Sequence, residues 1–234
     1  NRQFSEFKCD CTTMNFLPIF SPLTVVPPSA NYLDTANQVD SGRTVFTFSD
    51  MDLGTAGSTR NIVVGFAGQG TGLAQPSSIT VAGVTATIDI GLNIGTEHEL
   101  GLAHAEVPSG TAGDVVVTWP QAASLRCGVQ IFNFFGMSTS LSDSASDGAN
   151  VCSANIDVPA GGFAFGYCYA YNNGGAGTLA WTGLTEDNEA AIGNYEQGAA
   201  HKGFSSAQDQ LEVTLTVSAP LGNLEGMVIT SFGP

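Results

Sequence analysis

Ser78 to Ile90 reads Ser-Ile-Thr-Val-Ala-Gly-Val-Thr-Ala-Thr-Ile-Asp-Ile. This two-residue alternation suits a strand and excludes an amphipathic helix. If the chain reverses at Ala82-Gly83, Ile79, Val81, Val84, Ala86, Ile88 and Ile90 share one face. Thr80, Thr85, Thr87 and Asp89 share the other. The pattern predicts a β-hairpin with one buried and one solvated face.

The same alternation recurs along most of the chain. Thr44 to Phe48 alternates, and so does Leu211 to Ser218. Asn61 to Ala67 is continuously apolar, as expected of a strand buried on both faces. Arg126 to Phe135 places Cys127, Val129, Ile131 and Asn133 on one side. Gly162 to Tyr171 alternates aromatics with Ala164, Gly166, Cys168 and Ala170, a small-residue face that admits close approach of another sheet. Strands at short spacing with Gly, Pro and Ser turns between them predict an all-β protein. The expected fold is an antiparallel β-sandwich of jelly-roll-like type with an extended N-terminal arm. Residues 41–234 are expected to form a single β-sandwich domain, and residues 1–40 the arm. The one helix expected is short, Thr185 to Ile192, with Thr185 as cap. No repeat of solenoid period is visible.

Residues 1–40 carry Phe4, Phe7, Phe16 and Phe20 among Pro18, Pro22, Pro27 and Pro28. Proline blocks helix and limits strand pairing, so this segment reads as extended. So many aromatics need a surface to bury against. That surface is either the chain's own domain or a neighbouring subunit.

The net charge of −15, with six Lys plus Arg, argues against direct binding to nucleic acid or to an anionic membrane. No run of about 18 apolar residues is present. No signal peptide is visible, although the first residue is Asn1 and a cleaved leader stays compatible with the sequence. The five cysteines are Cys9, Cys11, Cys127, Cys152 and Cys168. An odd count leaves at least one unpaired within the chain. Buried free thiols are expected, with one disulfide among Cys127, Cys152 and Cys168 as the alternative.

Candidate chemistry is thin. His98 and His104 share a strand face near Glu97 and Glu99, but no third metal ligand follows. Asp143 to Gly148 resembles part of a calcium loop, yet the third position is Ala145 and the twelfth is Ala154. Glu186, Asp187, Glu189 and Glu196 form an acidic cluster of a type that can hydrolyse glycosides when suitably spaced. Gly68 to Gly72 is glycine-rich without a helix behind it. Tyr167, Tyr169, Tyr171, Trp119 and Trp181 suit either a sugar platform or a core. The expectation is therefore no catalytic residue, no metal and no cofactor.

Four segments carry a family resemblance: Ile79 to Ile88, Glu106 to Trp119, Asp157 to Gly162 and Trp181 to Asp187. Together they resemble a β-sandwich module of structural proteins in tailed bacteriophage virions, over roughly residues 44–232. The resemblance implies a non-enzymatic virion component, such as a capsid decoration or cement protein or an appendage piece. Its partners would be the major capsid protein or other virion subunits, and it would form a homo-oligomer with a trimer favoured. It would assemble in the host cytoplasm into the virion. The residues expected to bind the neighbour are Phe4, Phe7, Phe16, Phe20, Pro27 and Pro28. The alternative is a carbohydrate-binding module of a phage fibre or of a secreted, extracellular protein.

Overall fold

The computed structural model describes residues 26–120, 124–149, 151–171, 178–218 and 225–234. All regular structure among them is strand, and every pairing is antiparallel. The fold is an antiparallel β-sandwich, as the alternation predicts.

The first half contains β1 (Ser29–Arg43), β2 (Val45–Asp52), β3 (Asn61–Gly70), β4 (Ser78–Val81), β5 (Val84–Thr85), β6 (Thr87–Ile94), β7 (His98–Glu106), β8 (Ala112–Thr118) and β9 (Ser124–Phe135). The second contains β10 (Leu141–Asp147), β11 (Cys152–Val158), β12 (Phe163–Tyr171), β13 (Leu179–Thr182), β14 (Thr185–Ile192), β15 (Tyr195–Gly203), β16 (Gln208–Val217) and β17 (Glu225–Phe232). The first half forms sheets β1-β9-β3-β7-β6 and β2-β8-β4-β5. The second forms sheets β10-β17-β12-β15-β14 and β11-β16-β13. Among the described residues the second half repeats the winding of the first, without a counterpart of β5.

Four sheets are stacked, with three apolar layers between them. Phe46, Ile62, Val64, Phe66, Val115 and Trp119 fill the layer inside the first half. Cys152, Ile156, Cys168, Val213, Leu215 and Ile229 fill the layer inside the second. The middle layer joins the halves through Val63, Leu102, Phe132 and Phe134 on one side and Phe165, Tyr167, Tyr169 and Phe232 on the other. The two five-stranded sheets must therefore be apolar on both faces. That is why β3 is buried at every position and why β12 is buried throughout except at its ends. The small residues of β12 face the inner layer of the second half, while its aromatics face the first half.

The repeat is carried by polar anchors rather than by identity. Asp34 accepts the Thr35 and Asp52 amides, and Asp143 accepts the Ser144 and Asp157 amides. A bulge falls at Asp89, between Ile88 and Ile90, and another at Asp187, between Glu186 and Asn188. Anchors so far apart, with different residues between them, do not register as a short sequence period.

The hairpin turns where expected, with Ala82 at φ 49° and Gly83 at φ 80°. Its solvated face is only partly so. Past Thr85 the chain leaves one sheet and joins the other, and the bulge turns Asp89 inward to a side-chain exposure of 2%. Ile88 then packs on the inner layer and Ile90 on the middle one. Two further expectations are corrected. Thr185 to Ile192 is an edge strand, because its neighbour β15 offers a ladder that a cap cannot match. Asp143 to Asp147 is not a loop but part of β10, which pairs with β17.

Of residues 1–40, expected to form the arm, only 26–40 are among the described residues. Residues 29–39 pair with β9, since no proline after Pro28 interrupts their ladder. Phe4, Phe7, Phe16, Phe20, Cys9 and Cys11 lie outside the described residues.

Candidate functional site

The polar side chains with chemical potential gather along the seam between the two halves. His98 and His104 do share one face of β7, and that face meets the second half. Six residues along a strand separate them by about 20 Å, so they form no common site.

His98 is buried, and its Nε2 lies 2.8 Å from the Tyr195 hydroxyl. The amide of Gln69 donates to the same hydroxyl at 3.1 Å. The Arg126 guanidinium lies 4.8 Å from the centre of the Tyr195 ring and donates to the Ile192 carbonyl at 2.8 Å. Burial pushes His98 below the usual histidine value.

His104 places Nδ1 at 2.8 and 3.0 Å from the two oxygens of Asp89. His201 places Nδ1 at 2.7 Å from Asp187. These pairs are equivalent in the repeat: His104 lies opposite Thr87 and His201 opposite Thr185, each next to its bulge. Each histidine also crosses the seam. His104 packs edge-on to Phe232 at 5.3 Å, and His201 packs on Phe132 at 5.9 Å. Burial raises the Asp89 carboxyl and His104 opposes that rise. A bulge re-aims its side chain, and here it turns a carboxylate onto the neighbouring strand's histidine. Period-two alternation assigns Asp89 to the wet face, so the sequence conceals this contact.

The acidic cluster divides. Asp187 holds His201, and Glu189 accepts the Leu179 amide at 2.7 Å. The Glu186 carboxyl is pushed up by burial and then by Glu189 and Asp187 beside it. A carboxyl raised in the fold favours the fold while protonated, and that contribution disappears as pH rises through the raised value. Glu186→Gln should therefore raise the melting temperature at pH 7 and lose its advantage at pH 4. A melting series across that range checks it, and an unchanged difference between the two pH values would contradict it.

No group of three or more His, Cys, Asp or Glu side chains suited to a metal occurs among the described residues. The Gly68 to Gly72 amides are engaged locally, Gly70 on the Glu97 carbonyl and Gly72 on the Thr96 carbonyl. Cys127, Cys152 and Cys168 are buried free thiols, and burial pushes Cys127 up to about 12. Such thiols are unreactive. Trp119, Tyr167 and Tyr169 are core residues rather than a platform; Tyr171 and Trp181 are half-buried.

Two surface hollows lie at matching places in the repeat. One, of about 200 Å³, is lined by Asn61, Thr85, Thr87, His104, Glu106 and Thr139. The other, of about 370 Å³, is lined by Pro28, Gly161, Phe163, Gly203, Phe204 and Ser205. Asn61 faces Glu106 across the ladder as Phe163 faces Gly203. The first hollow is polar and includes the buried, unpartnered Asn61 Oδ1. The second is apolar. Of the six residues expected to bind a neighbour, only Pro27 and Pro28 are described. Pro27 is exposed, and Pro28 walls the apolar hollow.

Comparison with known proteins adds no identity: no family model, curated protein or solved structure matches the chain.

Proposed function

We propose that this chain is a non-enzymatic structural protein of a bacteriophage virion, decorating or cementing a capsid through subunit contacts made partly by its N-terminal arm. One observation carries the reading. The three histidines and Glu189 act as ties between strands: His98 on Tyr195, His104 on Asp89, His201 on Asp187, and Glu189 on the Leu179 amide. The doubled sandwich suits a rigid building block, and the winding of each half fits the jelly-roll type. The low count of Lys and Arg suits contacts to protein rather than to nucleic acid.

The arm is the part tested. Deleting residues 1–25 leaves β1 whole, so the variant should keep a strand-type far-ultraviolet spectrum. The full chain should form a symmetric oligomer by light scattering, with a trimer favoured, and should co-sediment with purified capsids. The variant should do neither. Equal association by both would sink the proposal.

A second reading has one observation in its favour. The polar hollow, with the free Asn61 oxygen beside His104 and three threonines, offers hydrogen-bond partners to a sugar. A carbohydrate-binding module would then label a glycan array in a manner lost in Asn61→Ala.

A further inference from the structure

Gln197 is fully buried at the seam, where a carboxamide is costly unless its polar atoms are met. Its counterpart in the first half is Leu100, for each stands four residues before its half's equivalent histidine, His201 or His104. Gly128 makes room for the amide: a Cβ there would stand 2.6 Å from Gln197 Oε1 and 3.1 Å from Cδ. Two contacts fix the orientation of the group. The Tyr167 hydroxyl donates to Oε1 at 3.0 Å, and Nε2 donates to the Thr35 hydroxyl at 3.1 Å. The Thr35 hydroxyl reaches the Val129 carbonyl only at 3.4 Å, a long contact that holds its proton weakly. Thr35 corresponds to Ser144 of the second half, since each gives its amide to the preceding aspartate. The repeat therefore supplies a hydroxyl twice but a buried carboxamide beside it once.

A hydroxyl, a carboxamide carbon and a donor on the carboxamide oxygen are the parts of an acyl transfer. We propose that Thr35 and Gln197 form an intramolecular ester, a covalent tie between β1 of the first half and β15 of the second. Thr35 Oγ1 attacks Cδ, the atom next to Nε2, and the Oγ1–Cδ bond forms. Charge gathering on Oε1 meets the Tyr167 hydroxyl. The Oγ1 proton passes to Nε2, the Cδ–Nε2 bond breaks, and ammonia leaves. Atoms and electrons balance without an oxidant, a reductant or a co-reactant. An amide is a poor electrophile, so the step is slow. The fold nevertheless holds the pair in contact, and well-oriented groups gain an effective molarity of up to about 10⁸ M. Burial of Gln197 and Tyr167 shields the product from water. Gln208 and Ser206 also meet, at 3.4 Å, but on the exposed surface, where an ester would be open to hydrolysis. The tie suits a rigid building block, yet it does not depend on the virion reading.

The test is the intact mass of the full chain, purified and aged at neutral pH. The mass should fall below that of the sequence by one ammonia. Digestion should then release a peptide pair joined at Thr35 and Gln197, which mild alkali separates. Thr35→Ser keeps a nucleophile and should still lose ammonia, whereas Thr35→Val should hold the sequence mass. Tyr167→Phe should slow the loss by on the order of a hundredfold, and an unchanged rate would overturn the part given to Tyr167. The ester itself is overturned if the full chain keeps its sequence mass. It is equally overturned if ammonia is still lost in Thr35→Val or if the joined peptides map elsewhere. A mass measurement is blind to capsid co-sedimentation, so the two proposals fail separately.

Discussion

Arg60→Met is expected to lower stability by about 3–5 kcal/mol, the cost of leaving several buried or part-buried carbonyls without their donor. Arg60 is fully buried. Its Nε donates to the Val107 carbonyl at 2.7 Å and its Nη1 to Leu53 and Gly54 at 3.0 and 2.9 Å. Its Nη2 donates to Ser109 at 2.9 Å. The four carbonyls belong to the turns that follow β2 and β7, which Arg60 binds together below the inner layer. Methionine matches the stem but supplies none of the donors, so the Val107 and Leu53 carbonyls lose their partner in a buried setting and those of Gly54 and Ser109 in a part-buried one. For a chain of this size the loss corresponds to a fall in melting temperature of about 10 °C. Thermal unfolding of the variant checks it. A fall of less than about 3 °C would mean that water replaces the guanidinium at little cost.

Tyr167→Ala is expected to cost about 3–5 kcal/mol as well, through a cavity in the middle layer. Tyr167 is fully buried, and its ring covers Gly65, where a Cβ would come within 2.5 Å of it. Its hydroxyl donates to the Gln197 Oε1 at 3.0 Å. The Gln197 amide donates to the Thr35 hydroxyl at 3.1 Å, and that hydroxyl donates to the Val129 carbonyl at 3.4 Å. A polar thread therefore crosses the seam from β12 through β15 to β1 and β9. Tyr167→Phe keeps the ring and breaks the thread, so it should cost about 1 kcal/mol. Denaturant unfolding of both variants separates packing from hydrogen bonding. Equal losses would show that the thread, not the ring, holds the halves together.

The strands were legible because a half-buried strand writes a period of two into the chain, as at Ile79-Thr80-Val81 and Leu211 to Ser218. The continuous apolar run of β3 was legible as a strand buried on both faces, and the small-residue face of β12 by its alternation. Thr185 to Ile192 was misread because a cap and an acidic first turn are local signals, while its ladder to β15 is not. Asp89 was misread because a bulge adds one residue and inverts every later face.

By itself, the sequence determined the all-β class, the hairpin at Ala82-Gly83 and the absence of a short catalytic motif. These follow from local periodicity and turn chemistry, which each segment carries whatever its neighbours are. Only the tertiary structure decided that the winding occurs twice, that the halves meet through a third apolar layer, and that His104 and His201 each find a carboxylate. Those facts depend on which strands become neighbours. Pairing partners such as Phe163 and Gly203, forty residues apart, leave no mark in the local pattern of either.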